Sequence, residues 1–262
     1  MLKIFKFAKE YLALIKQGYS LKDKIAIASY AFCFLLNRLS SHKIHNLICD
    51  VTLKNEDGIF FCGRNIFAIS TGSSFYESGL RKYFNLNKGI FIDVGANIGK
   101  YSIMLGRQLN NNGKVIAFEP MHGNFEILEK NIKLNDLDNV AIPLEVALGS
   151  QEGDINFYID SEGIGSGRHS LVKKTKNKVK VKVRKLDNVL KELKIKRVDL
   201  IKIDVEGAEA EVLKGAAQTL KISHPKIIFE AWDERNLKKC KEILNKFGYK
   251  IKRIDETNYL AE

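Results

Sequence analysis

Apolar and polar positions change rhythm several times along the chain. Over residues 1–40, Ile4, Phe5, Tyr11, Leu12 and Ile15 recur at helical spacing, with Lys3, Lys6, Lys9 and Lys16 between them. The run IAIASYAFCFLL (25–36) follows. Two helices are predicted here. The 12-residue run falls short of the roughly 20 residues needed to span a bilayer, so it reads as a buried helix. Residues 47–70 read as a hairpin, ICDVTLKNEDGIFFC, with Asp57-Gly58 as the turn signal. From residue 90 the rhythm alternates. GIFIDV, GKVIAFE, VAIPLEVAL, VDLIKID and KIIFE read as strands, with helices over 100–109, 121–135, 208–220 and 237–247. DINFYI and VKVKVR form further strands, and YKIKRI with NYLAE closes the chain as an antiparallel hairpin. This alternation predicts an α/β fold with a mostly parallel sheet flanked by helices. The expected organisation is a helical N-terminal extension (1–46), a hairpin and helix (47–88) and an α/β domain (89–262).

Charge sharpens that picture. The chain of 262 residues carries a net charge of +12, and residues 173–185, KKTKNKVKVKVRK, hold eight basic residues and no acid. The excess is therefore local, unlike that of a general nucleic-acid binder; no DNA partner is expected, and RNA enters only through an alternative reading. Lysines alternating with valines suit an edge strand that resists edge-to-edge pairing, or a surface that recognises an acidic acceptor. Four scattered cysteines without a C-x-x-C pair fit a reducing, cytoplasmic setting. The lysine-studded first helix suits packing on the main domain or peripheral contact of residues 1–40 with a membrane face.

Four predicted strands end on acids: Asp93, Glu119, Asp204 and Glu230. If the strands are parallel, these carboxylates share one sheet edge, where ligands of open α/β sheets bind. The first strand runs into DVGANIGKYS, in which Gly95 and Gly99 allow a tight turn and close backbone approach. Neither G-x-G-x-x-G nor the phosphate loop is present. An acidic rim repels pyrophosphate and suits a nucleoside bearing a positive centre, as in S-adenosylmethionine. Glu119, 26 residues after Asp93, stands where an acid can accept hydrogen bonds from both ribose hydroxyls.

FIDVGANIGKYS, VIAFEP and IKIDVEGAEAEVLKGA together resemble the FkbM family of S-adenosylmethionine-dependent methyltransferases over residues 90–262. The resemblance implies a class I methyltransferase (Rossmann-like) fold and transfer to oxygen, often a sugar hydroxyl. It places Asp93, Gly95, Asn97, Gly99 and Ala147 around the cofactor, with Glu119 as the ribose acid. Asp204, Glu206 and Glu209 fall in its second acidic motif; Glu206 and Glu209 are assigned to the acceptor, with stabilisation of a helix start as the plainer alternative.

Methyl transfer to oxygen needs alignment and a proton acceptor. Asp204 is the first candidate base, and Lys202, two residues back on the same strand face, can hold it ionised. A buried Lys–Asp pair with no catalytic part is the plainer alternative. His169, in the glycine-rich GIGSGRHSLV, is a rival base. Glu230 and Trp232 are assigned to the acceptor, Trp232 either as a stacking face or as core packing. No metal site is expected, although a divalent cation among Asp204, Glu206 and Glu230 is an alternative. His42 and His45 read as a solvated linker. The expected acceptor is a hydroxyl or carboxyl of a saccharide or lipid-linked glycan. An RNA ribose 2'-O-methyltransferase and a non-catalytic nucleoside-binding or membrane-associated scaffold are the alternatives. The RNA reading lacks aromatics among the lysines.

Overall fold

A computed structural model describes residues 2–39, 49–159, 169–170 and 177–262, with side chains over 9–30, 49–156 and 178–262. The chain forms two compact units, Met1–Ser78 and Gly79–Glu262.

In the first unit, helices α1 (Leu2–Lys16) and α2 (Leu21–Leu39) precede a hairpin of β1 (Val51–Asn55) and β2 (Gly58–Gly63), then α3 (Ile66–Gly72). Ser20 and Asp23 cap α2 reciprocally: the Ser20 amide donates to Asp23 at 2.8 Å and the Asp23 amide to Ser20 Oγ at 3.2 Å. Asp23 also accepts the Thr52 amide at 2.9 Å, which fastens the helix start to β1. Gln17 accepts from Asn55 and the Ser74 amide, both at 2.9 Å. Val51, Leu53, Phe60, Cys62 and Ile69 are buried beneath these elements. The hairpin turn falls one residue earlier than expected, because Asn55 pairs with Gly58 and leaves Glu56 and Asp57 as the loop.

A 3₁₀ turn (Ser78–Tyr83) leads into β3 (Gly89–Val94), α4 (Lys100–Leu109), β4 (Gly113–Phe118), α5 (His122–Leu134) and β5 (Ala141–Leu144). Next come β6 (Ala147–Leu148), β7 (Gly153–Ile159), β8 (His169–Ser170), β9 (Asn177–Arg184) and α6 (Leu186–Glu192). The chain ends with β10 (Leu200–Ile203), α7 (Glu209–Gly215), α8 (Ala217–Ser223), β11 (Lys226–Glu230), α9 (Glu234–Lys246), β12 (Ile251–Arg253) and β13 (Asn258–Ala261). Among the described residues the main sheet runs β12-β13-β11-β10-β3-β4-β5. The pairs β11–β13 and β13–β12 are antiparallel and the rest parallel, so β13 runs opposite to the other strands. This is the expected mostly parallel α/β sheet with an antiparallel C-terminal hairpin.

Side chains alternate across this sheet. Ile92, Val94, Ile116, Phe118, Ile201, Ile203, Ile227 and Phe229 join one buried cluster with Leu186, Leu213, Leu220 and Leu244 from the helices. Lys202 interrupts the apolar run of β10 because it points to the other face, level with Asp93 on β3.

Three expectations change. VAIPLEVAL is not one strand: β5 ends the main sheet, and β6 joins a second sheet of order β6-β9-β7-β8. The helix expected over 208–220 is two, divided at Ala216. The lysine strand β9 is not an edge strand, since it pairs along its length with β7 and at its end with β6. Val179, Val181 and Val183 pack with Met121, Ala147 and Ile155, leaving Lys178, Lys180 and Lys182 exposed on the opposite side.

Candidate cofactor and catalytic site

The register of the parallel strands builds the site in two layers. Asp93 stands level with Lys202 on one side and Ala117 on the other, and Lys202 is level with Ile228. Two residues further along each strand come Gly95, Asp204, Glu119 and Glu230, side by side at the carboxyl edge.

Gly95 lets the loop after β3 cross this edge closely. Its φ is +81°, and a Cβ there would lie 1.8 Å from the Asp204 carbonyl oxygen, so only glycine fits. Gly99 (φ +91°) begins α4 with no room for a side chain beside Leu128, at 2.7 Å. Asn97 takes a left-handed φ of 52° between them. Glu119 holds the loop from the neighbouring strand: its two carboxylate oxygens accept the Asn97 amide at 2.8 Å and the Met121 amide at 2.9 Å. Burial pushes the Glu119 carboxyl up to about 7, against the lowering effect of those amides and of Asn124. Beyond these donors the carboxylate keeps acceptor capacity for a ligand hydroxyl.

Asp93 lies one layer beneath the edge and is buried. It accepts the Ser102 hydroxyl at 2.6 Å. Burial raises it to about 6, opposed by Ser102 and by the Lys202 charge. Lys202, 3% exposed, sends its ammonium to Asp204 Oδ2 at 2.9 Å. The same ammonium lies 4.7 Å from the centre of the Tyr101 ring. For Asp204, burial acts upward, but the Lys202 charge and the hydrogen bonds that Asp204 accepts from the Glu230 carboxyl and from Lys202 outweigh it, and the carboxyl is lowered. The side chain of Asp204 remains about one-fifth exposed, so it can meet a substrate. Glu230 is fixed from its far side by the Thr257 hydroxyl at 3.0 Å.

Other expected residues fall elsewhere. Glu209 is 1% exposed. It accepts the amides of Val205 (3.3 Å) and Gly207 (3.0 Å) and the side-chain amide of Asn236. Burial raises its pKa. The acceptor contact expected of Glu209 therefore gives way to fastening the loop before α7. Glu206, in that loop, is half-buried with a left-handed φ of 53°. Trp232 is 67% exposed just beyond Glu230, so it is not core packing. Ala147 is buried in the valine cluster of the second sheet. The side chain of His169 and all of His42 and His45 lie outside the described residues. Among the described residues no group of three His, Cys, Asp or Glu side chains is arranged to hold a metal ion, Asp204, Glu206 and Glu230 included. Sequence reasoning missed Ser102, whose partner Asp93 lies nine residues back in the same motif, and Tyr101 and Thr257, which meet Lys202 and Glu230 from elements distant in the chain.

Comparison with known proteins gives a consistent result. The family model described as Methyltransferase FkbM domain matches residues 93–251. Methyltransferase sdnD of Sordaria araneosa is 30% identical over 203 residues, covering 64% of this chain and 77% of that protein. Hexuronic acid methyltransferase AglP of Haloferax volcanii is 33% identical over 128 residues, 49% of this chain and half of that protein. The 2-O-methyltransferase NoeI of Sinorhizobium fredii is 26% identical over 164 residues, 56% of this chain and 65% of that protein. Among solved structures, the crystal structure of Methyltransferase FkbM from Methylobacillus flagellatus superposes with a TM-score of 0.51 at 14% identity. That match covers all of this chain and 60% of the other, and speaks to fold alone.

Proposed function

Because the chain belongs to the FkbM methyltransferase family, we propose that it is an S-adenosylmethionine-dependent O-methyltransferase acting on a saccharide hydroxyl. One observation carries this reading. At the carboxyl edge, a glycine loop clamped by Glu119 stands beside a carboxylate, Asp204, that Lys202 holds ionised. The residues fit the cofactor: only glycine allows the loop at position 95, Glu119 offers acceptors for a ribose diol, and the acidic edge suits a sulfonium. Bound there, the cofactor supplies a methyl carbon already activated by its cationic sulfur.

The chain then has two tasks. It must bring an acceptor oxygen into line with that carbon, and it must take the hydroxyl proton. Asp204 would take the hydroxyl proton, leaving the acceptor oxygen free to receive the methyl group that the cofactor would supply. Lys202 keeps Asp204 ionised beforehand and pairs with it again once the proton has left. A carboxyl acceptor would need no base and would be repelled by this edge, so the Lys202–Asp204 pair supports a hydroxyl. Trp232, exposed beside Glu230, offers a flat apolar face of the kind that stacks on pyranose rings. The printed names of AglP and NoeI, a hexuronic acid methyltransferase and a 2-O-methyltransferase, support a saccharide acceptor.

Transfer of labelled methyl from S-adenosylmethionine to separated cell glycans, glycolipids and RNA tests this. Base-stable label in a saccharide fraction, lost with Asp204→Asn, is expected. Label confined to RNA, or base-labile label only, would refute the saccharide-hydroxyl assignment.

A further inference from the structure

The first unit turns large apolar side chains outward. Leu12, Tyr19, Leu21, Ile25, Phe67 and Phe75 are all exposed. The arrangement on α2 is specific. Asp23, Ala26 and Ile27 are buried on its inner side, whereas Leu21 is 75% and Ile25 60% exposed on the outer side. At about 100° per residue, Leu21, Ile25 and Ala28 line up as one ridge, and Lys22 and Lys24 stand about 80° to either side of it. Both lysines are exposed. Asp23, the one acid between residues 21 and 30, faces inward onto Ser20 and Thr52. The described outer face therefore carries an apolar ridge with cations on both flanks.

An ordinary surface helix keeps its outer face polar, whereas this one buries Ala26 and Ile27 and carries a second apolar ridge outside. A second copy of the chain is a poor occupant, because two-fold pairing of this face would bring the same lysines against each other. An anionic lipid surface fits both features: apolar side chains enter at the level of the upper acyl chains, and flanking lysines reach up to headgroup phosphates. Among the described residues no helix is long and apolar enough to cross a membrane, so the contact lies in the plane of the surface.

We propose that the outward face of α2 docks the chain on anionic lipid, with Leu21 and Ile25 inserted and Lys22 and Lys24 on the headgroup phosphates. The test is sedimentation of the full chain with vesicles of phosphatidylcholine alone or mixed with phosphatidylglycerol. Binding to the mixed vesicles at least about tenfold tighter than to phosphatidylcholine is expected. Leu21→Glu with Ile25→Glu should lower it by at least about tenfold, and Lys22→Gln with Lys24→Gln should cut the preference for the anionic lipid by about tenfold or more. Affinity for S-adenosylhomocysteine and the melting temperature verify that each variant is folded. No vesicle binding, equal binding to both vesicles, or wild-type binding by the Leu21 and Ile25 variant would each overturn the proposal. So would lipid-free self-association that the same variant abolishes without any vesicle binding. None of these outcomes touches the methyl-transfer reading, which rests on the second unit.

Discussion

Protonation of Glu119 should switch off cofactor binding near neutral pH. Its carboxyl rises from 4.5 to about 7, so holding it ionised in the fold costs about 3 kcal/mol. A carboxyl raised on folding contributes stability that is present below about 4.5 and is lost as pH rises through about 7. With Glu119 as the proposed ribose acid, cofactor binding should run the other way, because the ribose hydroxyls would need the ionised form. Both oxygens already accept a backbone amide, so a proton would occupy a lone pair that the ligand requires. Two hydrogen bonds to a charged acceptor are worth about 1.5–3 kcal/mol each. Calorimetric titration with S-adenosylhomocysteine between about pH 6 and 8.5 should show affinity falling about tenfold per unit below about pH 7. Glu119→Gln should bind at least about 100-fold more weakly at pH 8, with a flat profile between about pH 6.5 and 8.5. It should also be more stable than the wild type relative to its own value at low pH, since no charge is buried. A flat wild-type profile, or an unchanged slope in the variant, would refute this account of Glu119.

Gly95→Ala should abolish cofactor binding and lower the melting temperature, because its Cβ would collide with the Asp204 carbonyl at 1.8 Å. Normal calorimetric affinity would show that the loop does not need this approach. Lys202→Met removes the charge that lowers Asp204. The acid limb of the pH–rate profile should therefore move to higher pH, and an unmoved limb would exclude Asp204 as the proton acceptor. Trp232→Ala should leave the melting temperature within about 2 °C, as expected for an exposed side chain, and leave cofactor affinity unchanged. It should raise the acceptor KM about tenfold, and an unchanged KM would remove Trp232 from the acceptor site.

Much of the site was legible because its elements are local. DVGANIGKYS marks its own turn, and an acid ending an apolar strand can be read without knowing the strand's neighbours. Parallel pairing of β4, β3, β10 and β11 then brings Glu119, Asp204 and Glu230 to one edge, where the alternation of KIIFE, GKVIAFE and VDLIKID had placed them. What stayed hidden depends on partners distant in sequence. VAIPLEVAL is apolar but for Glu145, and Glu145 and Val146 carry the chain between two sheets, a change that periodicity does not report. The lysines of β9 advertise an edge, but β7 covers that side, and only the packing of Val179, Val181 and Val183 on Met121 shows which way the lysines face. Glu209 has the sequence neighbourhood of a ligand acid. Asn236, from α9, and the preceding loop amides draw it inside instead.

A crystal structure of the chain with S-adenosylhomocysteine decides whether Gly95, Glu119 and Asp204 form one cofactor and transfer site. Both ribose hydroxyls should lie within hydrogen-bond distance of Glu119, with the sulfur over the Gly95 loop on the side of Asp204. Adenosine bound away from Glu119, or a sulfur turned away from Asp204, would contradict that single site.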